Sequence, residues 1–265
     1  MITTELQGKL GNMMFEIAAI ENMGYRTGFQ TAYPNVDRNI DDLKKPQACT
    51  SEPNGRKYLT AFKNFDWHKN IDGDTHADRV ERIPFEYIPI TPRDYTKYLG
   101  YFQSEKYFPD RDFILNLFEP ADFIQEKLKL YKDFFEENVA SIHVRRGDYI
   151  KLSHVYNVLD MAYYNKAINY LKDRGVEEFL VFSTDKEWCE DNFRGSQFNF
   201  IEDDSLVELF LMGQCAHQII ANSAFSWWGA WLNNKEGRQI IAPQKWFNTR
   251  TLIEKDIIPQ NWIKL

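Results

Sequence analysis

The stretch VASIHVRRGD, residues 139–148, decides the fold, because a short strand without Asp, Glu, Lys or Arg ends there in two adjacent arginines. Strands of this kind are typical of a parallel sheet that is covered on both faces. Further strands are predicted downstream within EFLVFSTD (178–185), FNFIED (198–203), HQIIAN (217–222) and RQIIAP (238–243). Helical patterns separate them, so this half of the chain is predicted to be a doubly wound α/β domain.

The helical patterns complete this alternation. The run 159–175 places its apolar residues on one helical face and ends at Gly175. Three more helices are predicted within KEWCEDNF (186–193), DSLVELFLMGQC (204–215) and SAFSWWGAWLNN (223–234). The N-terminal half opens with a strand in MITTELQ, followed by a helix that is predicted to end at Gly24. The sequence thus predicts two α/β domains, residues 1–135 and 136–265.

Composition limits the classes of function. The chain of 265 residues has a net charge of −7, which disfavours binding to nucleic acid. Its three cysteines show no paired spacing, so neither a disulfide framework nor a zinc site is expected. So few cysteines favour a reducing, cytoplasmic compartment. No signal-peptide pattern opens the sequence. The uncharged stretch 209–234 is interrupted by polar residues, which predicts a buried core and not a transmembrane segment.

Polar residues follow the predicted strands at the points where the carboxyl ends of parallel strands meet. In open α/β sheets, ligands bind beyond these ends. Ser223 is also predicted to cap the following helix, whose free N–H groups would face an anion. Because arginine matches phosphate oxygens bidentately, the rim predicts a diphosphate site. The residues that follow the strands are Arg145, Arg146, Asp148, Ser183, Thr184, Asp185, Asn222 and Ser223.

Two other interpretations of the arginine pair remain open. Arg146, Gly147 and Asp148 spell an adhesion tripeptide, but this triplet is common by chance and no secretion signal accompanies it. Alternatively, one arginine pairs with Asp148 and stabilises the turn. Since there are two arginines, one can stabilise the turn while the other binds an anion.

Five segments of the chain resemble the α-1,2-fucosyltransferases, glycosyltransferase family eleven. HVRRGD (143–148) is similar to the family's His-x-Arg-Arg-x-Asp motif. The other four are LGNMMFEIA (10–18), GYFQSEKYF (100–108), FSTDKEWC (182–189) and IIANSAFSWWGAWLN (219–233). The chain departs from the family pattern at Lys9, Met13, Glu16, Glu208 and Ala224. The changes near the N-terminal loop concern the acceptor more than the donor.

The resemblance implies a GT-B-like fold, in which two Rossmann-type domains face a cleft and the C-terminal one binds the nucleotide sugar. It implies inverting, metal-independent transfer of L-fucose from GDP-β-L-fucose to a glycan, at the 2-hydroxyl of a terminal galactoside, with no cofactor besides the donor. By position, His143 and Glu208 would hold the guanine. Further donor contacts are expected from Arg145, Arg146, Ser183, Thr184, Asp185, Asn222, Ser223 and Ser226.

The sequence leaves the catalytic groups partly open. Arg145 shares a face with His143 if the strand reaches it, which would direct Arg145 to the β-phosphate and leave Arg146 to hold Asp148 or a neighbouring loop. Asp148 is the first candidate for the base that accepts the acceptor's proton, although a salt bridge explains it equally well. Asn12 is expected to position the acceptor, and Glu16 is a less favoured base.

Other functions are compatible with the same residues. A different GDP-sugar, such as GDP-L-galactose or GDP-mannose, would use the same diphosphate site. An inactive nucleotide-sugar or glycan-binding protein would keep the site without turnover. A metal site has one candidate, Asp72 and Asp74, in a pattern more typical of an exposed acidic loop. The sequence does not predict the oligomeric state.

Overall fold

Two compact α/β units divide the chain. The structure is a computed structural model that describes residues 1–34, 36, 58–66, 77–135 and 138–265. The first unit comprises Met1–Asp122 with Lys255–Pro259, and the second comprises Phe123–Glu254 with Gln260–Leu265. The change of unit therefore comes earlier in the chain than the predicted boundary after residue 135.

The first unit is built on a four-stranded parallel sheet. The strand order is β2-β1-β4-β3, and all of its pairings are parallel. Helix α1 is buried on all sides from Leu10 to Gly24 except at Asn12, although its buried residues include Glu16, Glu21 and Asn22. The elements are β1 (Ile2–Thr3), α1 (Leu10–Thr27), β2 (Thr31–Ala32), β3 (Arg79–Arg82), β4 (Thr96–Leu99), a 3₁₀ turn (Glu105–Tyr107) and α2 (Arg111–Leu117).

The predicted end of α1 at Gly24 is wrong. The helix continues to a left-handed cap at Gly28, which has a φ of 75° and donates its N–H to the Gly24 carbonyl at 2.8 Å. Gly24 instead permits a close approach, since a Cβ there would lie 2.6 Å from the Thr31 methyl group. Before the helix, Gly8 has a φ of 72°, and a Cβ would lie 2.6 Å from Asn12 Nδ2, so this loop requires glycine.

The second unit is built on a six-stranded sheet in which every neighbouring pair is parallel. The strand order is β10-β9-β8-β5-β6-β7, which is the doubly wound order with β5 near the centre. The elements are α3 (Asp122–Leu128), a 3₁₀ helix (Lys129–Phe135), β5 (Val139–Val144), α4 (Gly147–Lys151), α5 (Met161–Lys172), β6 (Glu178–Ser183), α6 (Lys186–Asn192), β7 (Phe198–Ile201), α7 (Ser205–Gln214), β8 (His217–Ile219), α8 (Ala224–Trp231), β9 (Ile240–Ala242) and β10 (Ile263–Lys264).

Strand β5 separates two apolar cores. All six of its residues are buried, as predicted for a strand covered on both faces. Ala140, Ile142 and Val144 join the core that contains α5, whereas Val139 joins the core that contains α7. Because side chains alternate along a strand, His143 lies on the same face as Val139 and α7.

The uncharged stretch 209–234 folds into the end of α7, β8 and α8. Trp227 and Trp228 are fully buried in α8 and pack against Trp231, while Trp227 also contacts Trp262. Among the described residues, no helix combines the length and the apolar character needed to cross a membrane.

Candidate functional site

The candidate site lies where the winding of the second sheet reverses. Strands β6 and β7 lie on one side of β5, and β8, β9 and β10 lie on the other. In open parallel sheets, this reversal opens a crevice beyond the carboxyl ends of the two central strands. The loops that follow β5 and β8 meet there, because the Tyr149 hydroxyl donates to the Asn222 carbonyl oxygen at 3.1 Å. The arginine loop and the start of α8 are thus neighbours.

Arg145 lies just beyond the strand and is held by α4. Strand β5 ends at Val144, so the strand does not reach Arg145 as the prediction required. The Arg145 Nη2 donates to Asp148 Oδ2 at 2.7 Å, and the guanidinium carbon lies 5.3 Å from the centre of the Tyr149 ring. The Arg145 side chain is 21% exposed. A guanidinium has five N–H donors in a fixed fork, so this one can bind an anion beside Asp148.

Arg146 contacts the loop that follows β6. Its Nε lies 3.4 Å from Asp185 Oδ2, and its guanidinium carbon lies 4.2 Å from the centre of the Trp188 ring. Its Nη1 donates to the Leu159 carbonyl at 3.5 Å. Arg146 was predicted to hold either Asp148 or a neighbouring loop, and in the structure it contacts the neighbouring loop, through Asp185. Asp148 pairs with Arg145 instead, because the chain turns sharply at Arg146 (φ −124°, ψ −79°).

The start of α8 has no side-chain cap. Ser223 occupies the predicted N-cap position, but its hydroxyl makes no cap hydrogen bond. Uncapped N–H groups at a helix start form a site for an anion. Ser226 is fully buried, and its hydroxyl lies 3.3 Å from two backbone carbonyl oxygens of the same loop, so it holds the loop and does not face solvent.

Asn222 is a fully buried clamp. Its Nδ2 donates to the carbonyl oxygens of Asn157 at 2.8 Å and Trp246 at 2.7 Å. Its Oδ1 has no hydrogen-bond partner among the described residues. A buried hydrogen-bond acceptor without a partner costs free energy of folding, so this oxygen is a candidate to accept a hydrogen bond from a bound ligand.

His143 and Glu208 belong to the same side of the sheet. His143 is buried against the Phe225 ring, with centroids 5.5 Å apart, and its Nδ1 has no partner in the described part of the chain. Burial and the charge of Arg145 lower the pKa of His143 to about 3, so the imidazole is neutral. Burial raises the pKa of Glu208 to about 7, although its Oε1 accepts the Asp203 N–H at 3.2 Å. His143 therefore has an unpaired Nδ1 that a ligand could bind, and Glu208 has a carboxyl whose Oε1 is already engaged by the Asp203 N–H.

The loop after β6 lies beside the arginine loop. The Ser183 hydroxyl donates to the Val144 carbonyl at 3.1 Å and accepts the Asp185 N–H at 3.0 Å, so it joins the ends of β5 and β6. Thr184 is exposed, and its Oγ1 would lie 3.7 Å from a Cβ placed on Gly147. Thr184 is therefore the exposed residue of this loop, whereas Ser183 and Asp185 are engaged within the protein.

The N-terminal candidates lie in the first unit, at the start of α1. Asn12 Oδ1 accepts from Gln103 Nε2 at 2.8 Å. Glu16 is fully buried, and its Oε2 accepts the Gln7 N–H at 2.8 Å. Burial raises the pKa of Glu16 well above its usual range, so a neutral carboxyl holds the loop after β1. The metal candidates Asp72 and Asp74 lie outside the described residues.

Two aromatic side chains contact the arginine pair and were not predicted as site residues. Tyr149 contacts Arg145, and Trp188 contacts Arg146. Both positions adjoin motifs that were recognised, since Tyr149 follows HVRRGD directly and Trp188 lies within FSTDKEWC. Proximity to a motif was therefore the available signal.

A third unpredicted residue, Glu254, supports the site from a distance along the chain. Its Oε2 accepts the N–H groups of Trp246 and Phe247, both at 2.8 Å. This turn supplies the Trp246 carbonyl that Asn222 binds. No motif surrounds Glu254, so nothing in the sequence pointed to it.

The fold and the residues at the rim of its second sheet together indicate a class of protein. A parallel sheet that reverses its winding beside an arginine pair and an uncapped helix start is typical of α/β proteins that bind phosphorylated ligands. The solved structure of an Arabidopsis thaliana FUT1 mutant in complex with GDP has a similar fold, with a TM-score of 0.50, 11% sequence identity, and coverage of 91% of this chain and 70% of that chain. The architecture is GT-B-like, with parallel sheets in both α/β units.

The chain belongs to glycosyl transferase family 11, whose family model matches residues 1–265. An O-antigen biosynthesis glycosyltransferase WbnK from Escherichia coli is 38% identical over 63% of this chain and 59% of its own length. An alpha-1,2-colitosyltransferase from E. coli is 28% identical over 100% of this chain and 98% of its own length. A galactoside 2-alpha-L-fucosyltransferase Sec1 from Mus musculus is 26% identical over 88% of this chain and 64% of its own length.

Proposed function

We propose that this family 11 glycosyltransferase transfers L-fucose from GDP-β-L-fucose to the 2-hydroxyl of a terminal galactoside in a glycan, forming an α-1,2 linkage. The observation that carries the proposal is Arg145 at the reversal between β5 and β8, beside the uncapped start of α8. Guanidinium groups and free helix N–H groups together form a diphosphate receptor. The names of the relatives, one a fucosyltransferase and one a colitosyltransferase, support the sugar class and the linkage.

The proposed reaction proceeds with inversion. The bond between fucose C1 and the β-phosphate oxygen breaks, and GDP leaves with its electron pair. The acceptor oxygen bonds to the opposite face of C1, so a β-linked donor gives an α-linked product. Arg145 stabilises the charge that grows on the leaving phosphate, a contribution of about 3 kcal/mol for one such contact. The acceptor's proton passes to a carboxylate, for which Asp148 is the candidate.

The guanine of the donor is assigned to His143 and Glu208. Burial raises the pKa of Glu208 to about 7, and guanine N–H groups would favour its ionised carboxylate, which accepts them; uracil and adenine do not present these groups in the same arrangement. We therefore expect GDP to inhibit the enzyme far more strongly than UDP or ADP. Equal inhibition by the three nucleotides would remove the guanine assignment and leave only a general diphosphate site.

A second donor, GDP-colitose, is favoured by one observation. The colitosyltransferase aligns with the whole of this chain and with 98% of its own length. Colitose is fucose without the 3-hydroxyl, so the two donors differ by one hydrogen-bonding group. A site that hydrogen-bonds this hydroxyl would reject the deoxy sugar by about 10⁴-fold, whereas an apolar site would discriminate weakly.

A donor-by-acceptor screen tests the proposal. GDP-fucose, GDP-colitose, GDP-mannose and GDP-L-galactose are each offered with a panel of galactosides, and the product linkage is determined by NMR. We expect the highest kcat/KM with GDP-fucose and an α-1,2 product. Preference for GDP-colitose would select the second donor. A folded chain that neither transfers nor hydrolyses any GDP-sugar would overturn the enzymatic function.

A further inference from the structure

Tyr149 links the two sides of the candidate site. Its hydroxyl donates to the Asn222 carbonyl in the loop after β8, while its ring contacts the Arg145 guanidinium in the loop after β5. One side chain therefore joins the arginine to the loop that begins α8. Burial raises the pKa of Tyr149, so the hydroxyl retains the proton that it donates.

An aromatic ladder fixes the plane of the Tyr149 ring. The Tyr156 ring stacks on it with centroids 4.1 Å apart and planes 10° apart. Tyr156 in turn contacts the Phe247 ring at 5.7 Å, and the backbones of these two residues pair in an isolated antiparallel bridge. Since Phe247 is bound through its N–H to Glu254, the ladder ends on a fixed turn. The Tyr149 ring that Arg145 contacts is therefore held by a stacked neighbour, with little freedom to tilt.

We propose that Tyr149 is a positioning residue, whose ring and hydroxyl together set the Arg145 guanidinium relative to the start of α8. Bidentate binding of a phosphate requires the guanidinium fork and the helix N–H groups at a fixed separation. The Tyr149 hydroxyl bond fixes this separation, and the ring fixes the orientation of the fork. Tyr149 acts through Arg145 and does not itself contact the donor. The inference rests on the proposed function, because it requires a diphosphate as the bound group.

Removing the hydroxyl tests the inference with the full chain. Four proteins are compared: the wild type, Tyr149→Phe, Arg145→Lys and the double variant. The kcat and the donor KM are measured at a temperature where all four are folded. We expect Tyr149→Phe to lower kcat about tenfold, as for the loss of one hydrogen bond, with little change in KM. In the Arg145→Lys background the same substitution should change kcat less than about twofold, because its effect passes through Arg145.

Tyr163→Phe is the matched control. The Tyr163 hydroxyl donates to the carbonyl oxygens of Ile220 at 2.7 Å, in the loop after β8, and of Ile241 at 3.2 Å, in β9, so it is a comparable buried tyrosine that holds the same loop as Tyr149 but contacts no arginine. We expect Tyr163→Phe to lower Tm and to leave kcat unchanged. Should Tyr149→Phe fail to fold, Tyr156→Leu removes the stacking partner while keeping Tyr149, and it should also lower kcat in an Arg145-dependent way.

Two further outcomes would overturn either the positioning role of Tyr149 or the proposed function. Normal kcat in Tyr149→Phe, or an undiminished loss in the Arg145→Lys background, shows that Tyr149 has a structural role alone. Calorimetry with GDP on the wild type separates this failure from a failure of the proposed function. A wild-type chain that binds no GDP overturns both, whereas GDP binding with a normal Tyr149→Phe overturns the positioning role alone.

Discussion

Arg145 and Arg146 are adjacent in the chain, but their surroundings assign them different tasks. Arg145 contacts α4 and the Tyr149 ring, next to the start of α8. Arg146 is enclosed by the Trp188 ring, Asp185 and a backbone carbonyl. Lysine retains the charge but loses both the bidentate fork and the flat surface that stacks on an aromatic ring. Substitution by lysine therefore separates binding of the leaving group from support of the loop.

We expect Arg145→Lys to lower turnover by orders of magnitude while Tm stays near that of the wild type. Arg146→Lys should lower both activity and Tm, because stacking on Trp188 and the contact with Asp185 are lost together, at a cost of about 1 kcal/mol or more. The measurement is steady-state kinetics alongside melting curves. Near-normal turnover in Arg145→Lys would contradict its role at the leaving phosphate, and an unchanged Tm in Arg146→Lys would contradict its role in the loop.

Glu208 makes stability depend on pH in an identifiable direction. Burial raises the pKa of Glu208 from 4.5 to about 7, so the folded state binds its proton more tightly than the unfolded state does. Stability should therefore fall as pH rises from about 5 to 8, by up to about 3 kcal/mol from this group. Glu208→Gln should be less sensitive to pH over this window. Chemical denaturation at several pH values checks it, and identical slopes for both proteins would show that Glu208 titrates normally.

At the scale of single residues, the sequence pattern predicted which residues share one rim of the sheet but not the partner of each arginine. The arginine pair, Asn222 and Ser223 follow strands, so the topology of a parallel sheet was enough to bring them together. Which arginine binds Asp148 depends on the backbone angles at Arg146, which the sequence pattern does not encode. The contribution of Glu254 depends on a fold of the chain between residues far apart in sequence.

Among the elements, α8 begins differently from the other long helices of the second unit. In α5 and α7 the N-cap side chains of Asp160 and Asp204 accept backbone N–H groups of the first turn. At α8, the Ser223 hydroxyl does not. A helix start that gives up a stabilising cap beside an arginine keeps its donors for a ligand. The uncapped start therefore leaves N–H groups of α8 available to a ligand, although α1, α4 and α6 also begin without a side-chain cap.

The difference in caps gives a prediction. Ser223→Ala should lower the free energy of unfolding by only a few tenths of a kcal/mol, since no cap bond is lost, whereas Asp160→Ala should cost about 1 kcal/mol. If Ser223 faces the donor, Ser223→Ala should nevertheless weaken GDP binding, and Asp160→Ala should not. Denaturation and calorimetry with GDP measure the two effects. A loss of stability in Ser223→Ala equal to that in Asp160→Ala would show that the hydroxyl caps the helix after all.

Elements with a strong apolar pattern were predicted, and the bounds of β5 agree with its apolar run, whereas the end of α1 differs from its prediction. Strand β5 was predicted from an uninterrupted apolar run, and helices α5, α7 and α8 from apolar patterns that burial imposes. The end of α1 was misplaced because Gly24 and Gly28 are both plausible caps in sequence. Only the close approach of Thr31 shows that Gly24 serves packing within the helix.

At the scale of the whole molecule, two features of the division into units could not be predicted. Leu128, Tyr131 and Phe135 pack against the core that contains α7, so the segment before β5 belongs to the second unit. The sequence of an amphipathic segment shows that one face will be buried, but it does not show which neighbouring core that face will cover. No sequence pattern predicts that residues 255–259 return to the first unit. In the structure, Lys255 Nζ lies 3.2 Å from Glu86 Oε2 within that unit.

The source of positive charge distinguishes two kinds of glycosyltransferase, those that neutralise the leaving diphosphate with a divalent cation and those that use side chains. Here the rim of the second unit presents Arg145 together with the free N–H groups of α8. We therefore expect transfer to persist in excess EDTA, measured as product formation with and without the chelator. Complete loss that manganese restores would assign the phosphate to carboxylates, with Asp72 and Asp74 as the first candidates. The double variant Asp72→Asn with Asp74→Asn is the matched control, because it should retain activity if arginine alone supplies the charge.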